Sequence, residues 1–221
     1  MAQVVVPDTF SLWGYNWDVR DGQRGINAWN KAGVTKDSRK DRLKFSLLDS
    51  DGLGAGVNLA QDLGYGVYQC VLIGRFDSTN PNFNVGAWLY NDKPTRQEQF
   101  ELDYEHCQWG DQNRRDRIQL SVFSPDMSNV HIEDQKTFNP GSFEKHRITL
   151  TYLPNVVKVQ ADGWWMLNND WKNYAYFEKN RVNEPGATFR VGAYYHTDKP
   201  LAKTALGVRI AYMDSFTFTK S

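Results

Sequence analysis

The segment Phe100-Glu101-Leu102-Asp103-Tyr104-Glu105-His106 interleaves three acids with apolar residues. Successive side chains of a strand leave opposite faces, so Glu101, Asp103 and Glu105 share one face and Leu102 and Tyr104 the other. Three carboxylates at about 6.6 Å between successive α-carbons repel one another, and no Lys or Arg is interleaved to relieve them. A strand selected for stability alone rarely accepts such a face. The α-carbons of residues i and i+4 lie about 13 Å apart on a strand. Each glutamate can lean roughly 4 Å along it. Two converging carboxyls then come to about 5–5.5 Å, the spacing of nucleophile and acid/base in double displacement at a glycosidic carbon. The shorter Asp103 fits beneath, hydrogen-bonds one neighbour and helps to push the two glutamate pKa values apart. The same spacing also occurs on solvated strand faces that do no chemistry, so the rest of the chain must decide.

The elements able to hold such a face are strands. Period-two alternation runs through Leu43–Leu47, Ile118–Val122, Ile148–Tyr152 and Val157–Ala161. Phe189–Tyr195 and Val208–Phe218 are rich in β-branched and aromatic residues. Turn signals separate the runs: Asp51-Gly52, Asn80-Pro81, Asn139-Pro140-Gly141, Pro154-Asn155, Asp162-Gly163 and Glu184-Pro185-Gly186. Helical stripes are missing. The pattern predicts an all-β fold, an antiparallel β-sandwich, with residues 1–221 as a single domain. Asn168–Arg181 carries Trp171, Tyr174, Tyr176 and Phe177 without clean alternation or a capping box, and reads as an irregular connection with a short strand.

Composition narrows the partners. The chain has 221 residues with 26 Lys+Arg against 26 Asp+Glu, a formal net charge of zero. A nucleic-acid binder would carry a basic excess, so nucleic acid is not an expected partner. No apolar run approaches the roughly 18 residues of a membrane-spanning helix. Aromatics are 14% of the chain, with eight Trp, while hydrophobics are only 40%. That load exceeds the needs of a modest core and places some rings on a surface or in a cleft. Cys70 and Cys107 are the only cysteines. They leave a disulfide and two free thiols both open, and neither sits in a Cys/His nucleophile motif.

Set beside these residues, the chain resembles the laminarinase-like glycoside hydrolases of family 16, in the concanavalin A-like lectin/glucanase superfamily. Glu101-Leu102-Asp103-Tyr104-Glu105 is similar to that family's core motif, and Trp109-Gly110 follow as in a bacterial subgroup. Leu63–Gln69, Gly74–Asp77 and Val85–Tyr90 resemble the preceding strands, and Trp17–Arg20 an N-terminal segment of the subgroup. Phe143, His146–Tyr152, Pro154, Asp162-Gly163 and Asp214–Phe218 resemble the hairpin and closing strand. Phe100, Tyr104, His106 and Cys107 depart from the usual pattern, but no departure removes a carboxyl. By alternation His106 points between the sheets, where a hydrogen-bonded core histidine is expected, and His146 packs structurally.

The resemblance implies a jelly-roll sandwich with a concave carbohydrate-binding cleft. It implies Glu101 as nucleophile, Glu105 as general acid/base and Asp103 as the assisting acid. Gln69, Trp88, Tyr90, Trp109 and Tyr194 become substrate-binding candidates, each ring weighed against plain core packing. The implied activity is retaining endo-hydrolysis of a β-linked polysaccharide, β-glucan or galactan in type. A non-catalytic carbohydrate-binding module and a transglycosylase are the alternatives. Arg96, Arg114, Arg115 and Arg117 could meet an anionic sugar or be solvated surface charge. No cofactor is required, though Asp214 matches a position that holds a structural calcium in some relatives. The expected partner is a polysaccharide or oligosaccharide, with no nucleic acid and no membrane. A monomer acting outside the cell is expected, its export signal already removed.

Overall fold

The computed structural model describes residues 4–24, 27–37, 40–48, 51–74, 81–93, 99–106, 118–123, 129–131, 144–164, 171–180, 186–195 and 208–221. Eighteen strands occur among them. In chain order they begin with β1 (Val4–Val5), β2 (Thr9–Leu12), β3 (Tyr15–Val19), β4 (Gly22–Arg24), β5 (Asn27–Trp29) and β6 (Val34–Asp37). Then follow β7 (Arg42–Leu48), β8 (Ala55–Leu59), β9 (Gly66–Gly74), β10 (Phe83–Tyr90), β11 (Glu101–His106) and β12 (Ile118–Phe123). The last are β13 (Asn129–His131), β14 (Glu144–Tyr152), β15 (Val156–Trp164), β16 (Trp171–Asn180), β17 (Thr188–Tyr195) and β18 (Val208–Lys220). The only helical element among the described residues is a 3-10 turn at Lys31–Gly33.

Two eight-stranded antiparallel sheets result, one ordered β1-β6-β7-β18-β9-β14-β15-β16 and the other β13-β12-β11-β10-β17-β8-β3-β2. The all-β sandwich expected from alternation is the fold observed. Each expected strand maps onto an observed one, and the alternation gives its inward face. In β7, Leu43, Phe45 and Leu47 are buried while Lys44 and Ser46 between them are less so. In β9, Tyr68, Cys70 and Leu72 point inward. From the second sheet come Val85, Ala87 and Leu89 of β10, Leu102 and Tyr104 of β11, and Phe189, Val191 and Ala193 of β17, all buried in the same core. Each such side chain contributes up to about 1.5–3 kcal/mol by leaving water. Trp17 fixes one end of this core. Its indole N–H donates to the Leu12 carbonyl at 3.1 Å, and its ring meets Phe216 edge-on at 5.0 Å.

One expectation fails. Residues 171–180, read as part of an irregular connection with only a short strand, form the ten-residue edge strand β16. Its register against β15 slips between Ala161 and Asp162: Ala161 pairs Ala175 while Asp162 pairs Asn173. Tyr174 therefore has no opposite residue. A bulge of this kind shifts the phase of alternation mid-strand, so a fixed period-two count cannot register it. Cys70 is a free thiol buried in the core, and burial pushes its pKa well above the ordinary range. It is inert by position. Cys107 lies outside the described residues.

Candidate active site

β11 is an interior strand, paired with β10 on one side and β12 on the other. Its inward residues Leu102, Tyr104 and His106 anchor it between the sheets. The Tyr104 hydroxyl bonds His146 Nδ1 at 2.5 Å, and the His106 and His146 rings lie 6.0 Å apart. The core reading of both histidines holds. With that face fixed, Glu101, Asp103 and Glu105 are committed together to the opposite face of the sheet, as the sequence predicts.

The registers arrange that face in rows across the strands. Glu101 stands opposite Tyr90, with Phe123 on its other flank. Asp103 lies between Ser121 and Trp88, and the row continues to Arg190 and Asn58. Glu105 lies between Gln119 and Gly86, followed by Gly192 and Gly56. Gly86 is required here, since a Cβ would stand 2.9 Å from the Tyr104 carbonyl oxygen.

Asp103 is almost fully buried, and its Oδ2 accepts from the Ser121 hydroxyl at 2.9 Å. Glu101 is its neighbour two residues back on the same strand face. Burial first, then the charges of Glu101 and Glu105, hold the Asp103 pKa well above the usual carboxylate range, while the Ser121 bond pulls the other way. Two carboxylates cannot hydrogen-bond without a proton between them. The raised pKa draws that proton toward Asp103, which in its neutral form can donate to the half-buried Glu101 beside it.

Glu105 is held differently. Asn84 Nδ2 donates to its Oε1 at 2.9 Å, and the Tyr194 hydroxyl donates to the same oxygen. Asn84 also donates to the Tyr194 oxygen at 2.7 Å, closing a three-membered network. Tyr194 packs against Trp29 and Trp88, with ring centroids 5.7 and 6.1 Å away. Trp29 packs against the glycine row, where a Cβ at Gly56 would stand 2.8 Å from its ring. The Arg20 guanidinium stacks 3.9 Å above Trp29, and that of Arg190 sits 4.6 Å from the centre of Tyr90. Both arginines are buried, and Arg190 pairs with Asp92. Burial, then the charges of Glu101 and Asp92, raise the Tyr90 pKa, with Arg190 and Arg20 opposing.

Trp88, Tyr90 and Tyr194 thus share the face of the acids. Tyr90 is the most exposed ring of their cluster, and Trp88 and Tyr194 are nearly buried. Gln69 does not join them. It sits on β9 in the other sheet, where its amide donates to the Thr149 hydroxyl at 3.1 Å. On β9, Tyr68 and Cys70 face the core, so alternation turns Gln69 away from it and from the acids. Trp109, Arg96, Arg114, Arg115 and Arg117 lie outside the described residues. Asp214 is on β18, also in the other sheet, with Oδ2 3.6 Å from Lys145 Nζ. It borders a cavity of about 560 Å³ shared with Lys40, Arg42, Ile73, Lys145 and Tyr212. Three cations around one carboxylate do not fit calcium, which takes six to eight oxygens, and the described residues hold no cluster of three metal-binding side chains.

Sequence reasoning passed over Asn84, Arg20, Trp29, Ser121 and Arg190. A signal existed for some of them. Asn84 and Arg190 stand in the same period-two series as Trp88 and Tyr194, so the face that carries a suspected ring also carries its i±2 and i±4 neighbours.

No family model matches the sequence, and no curated protein matches it either. Solved structures do match. A Bacillus licheniformis β-glucanase aligns over 93% of this chain and 92% of its own, at TM-score 0.64 and 16% identity. An immunostimulatory antigen and pseudo β-1,3-glucanase of Mycobacterium tuberculosis aligns over 99% and 93%, at TM-score 0.64 and 16% identity. A Bacteroides ovatus family 16 protein, solved in complex with a G4G4G3G product, aligns over 96% and 97%, at TM-score 0.62 and 12% identity. The chain has the fold of the family 16 glycoside hydrolases.

Proposed function

We propose that this protein is a retaining endo-glycosidase acting on a β-linked polysaccharide of glucan or galactan type. The observation that carries the reading is the division of labour among three acids on one face. Asp103 has its pKa raised beside Glu101, and Glu105 is held by separate donors. Glu101, as the carboxylate, attacks the anomeric carbon as Glu105 gives its proton to the departing glycosidic oxygen. The glycosyl-enzyme ester forms and the glycosidic bond breaks. Glu105, now a carboxylate, takes a proton from water, whose oxygen displaces Glu101 and restores both acids. Tyr90 offers a ring face to the apolar side of a sugar. Polymers of this kind lie outside cells, so the enzyme would act there.

The fold alone does not establish activity, since one neighbour is described as a pseudo-glucanase. The test is a reducing-sugar assay over a polysaccharide panel, with proton NMR of the first products. Release of oligosaccharides with retained anomeric configuration is expected. In Glu105→Gln, loss of the general acid should lower turnover by about 10²–10⁴-fold on the polymer. The loss should be far smaller on aryl glycosides, whose leaving groups need little protonation. Azide should restore turnover to Glu105→Ala by attacking the glycosyl-enzyme. Inverted products would reassign the roles. Polysaccharide binding with no cleavage by the wild type would leave the carbohydrate-binding module, and elongated products would mark a transglycosylase.

A further inference from the structure

Tyr194 entered as a candidate sugar platform, but its ring is nearly buried and its hydroxyl is spent on Glu105. Two donors to that glutamate, Tyr194 and Asn84, converge on one oxygen, Oε1. An oxygen that already accepts two hydrogen bonds is a poor place for a proton, since a proton there would face two donors. We propose that Tyr194 and Asn84 are positioning residues that hold Glu105 by Oε1 and so place its acidic proton on Oε2, the oxygen turned to the glycosidic bond. This rests on Glu105 being the acid/base.

The network is built as such a device requires. Asn84 and Tyr194 are directly opposite in the β10–β17 register, so the sheet itself sets their contact. Asn84 spends its amide on both partners, which fixes Tyr194 as well as Glu105. Trp29 and Trp88 wall the Tyr194 ring and leave it little freedom to turn. The two donors also favour the charged carboxylate, whereas burial and neighbouring acids favour the neutral acid. The opposition suits a group that must be acid in one step and base in the next. The other charged or titratable groups presented on this face by the described strands are Glu101 and Asp103 on β11, Tyr90 on β10, Arg190 on β17 and Asp18 on β3, with Arg20 just beyond. β12 presents the uncharged Gln119 and Ser121.

The test compares Tyr194→Phe and Asn84→Ala with the wild type by two measurements. The first follows the carbon-13 carboxyl signal of Glu105 through a pH titration without substrate, the signal identified by its loss in Glu105→Gln. Removal of either donor is expected to raise the Glu105 pKa by about one unit, as loss of a hydrogen bond to a charged group should. The second is the pH profile of kcat/KM. Its alkaline limb should move up by the same amount. At the optimum, kcat should fall on the polymer more than on aryl glycosides, with KM little changed. A purely structural role would lower the melting temperature and leave titration and limb in place. An unmoved or lowered Glu105 pKa in the variants that fold overturns the proposal. Absence of any cleavage by the wild type defeats the hydrolase reading instead, and the titration still decides whether these two residues control Glu105.

Discussion

Replacing Glu101 by Gln exchanges one oxygen for an amide and removes a charge that raises the Asp103 pKa. The proposed nucleophile is lost while its volume stays, so hydrolysis should fall nearly to background in a protein that remains folded. Stability should rise slightly, because a charge that opposes ionisation of the buried Asp103 is gone. Paired rate assays and thermal melts check this, and full activity in Glu101→Gln would remove the site. The acids were legible because their signal is local: alternation on one strand is enough to place three carboxylates together. The hold on Glu105 was not legible, because Tyr194 is 89 residues away in sequence and reaches it across an intervening strand. Gln69 shows the opposite failure. Its motif is local and matched, but a strand motif does not say which face of which sheet meets the ligand.

At the scale of elements, β10, β17 and β8 owe their positions to glycines as much as to apolar residues. Gly86, Gly192 and Gly56 form one row beside Glu105, and Trp29 lies on its far end. A Cβ at Gly192 would stand 2.7 Å from the Ala55 carbonyl oxygen and 2.9 Å from the Gly56 α-carbon. Both are backbone atoms of β8, which cannot swing aside as a side chain would. Gly192→Ala should therefore force β17 and β8 apart and cost about 1–3 kcal/mol, as overpacking usually does. It should also displace Trp29, and with it the Tyr194 wall. A drop in the urea midpoint together with a changed tryptophan emission is the expected result. An unchanged midpoint would mean that the sheet tolerates the extra carbon. Strand existence was readable from period-two patterns wherever the pattern kept phase. It failed at β16, where a bulge at Tyr174 breaks the phase that the eye counts.

At the scale of the molecule, the sandwich buries Asp103 so well that its protonation becomes part of folding. In the unfolded chain an aspartate titrates near about 3.9. In the folded protein its pKa stands well above that, from burial and from Glu101 and Glu105. Below the unfolded value both states hold the proton, and Asp103 leaves stability independent of pH. Above it the folded state binds more protons than the unfolded one, so stability falls as pH rises. The fall continues until the folded-state pKa is passed and then levels off. Each unit of displacement corresponds to about 1.4 kcal/mol. Asp103→Asn keeps the shape, offers an N–H to Glu101 and has nothing to titrate. Its advantage over the wild type in unfolding midpoint should be small near pH 4 and widen as pH rises, while its hydrolytic rate falls. Glu101→Gln should narrow the wild-type slope, because one charge that raises the Asp103 pKa is gone. Denaturation midpoints of the three proteins across that range decide the matter. Parallel curves for wild type and Asp103→Asn would mean that folding does not raise the Asp103 pKa.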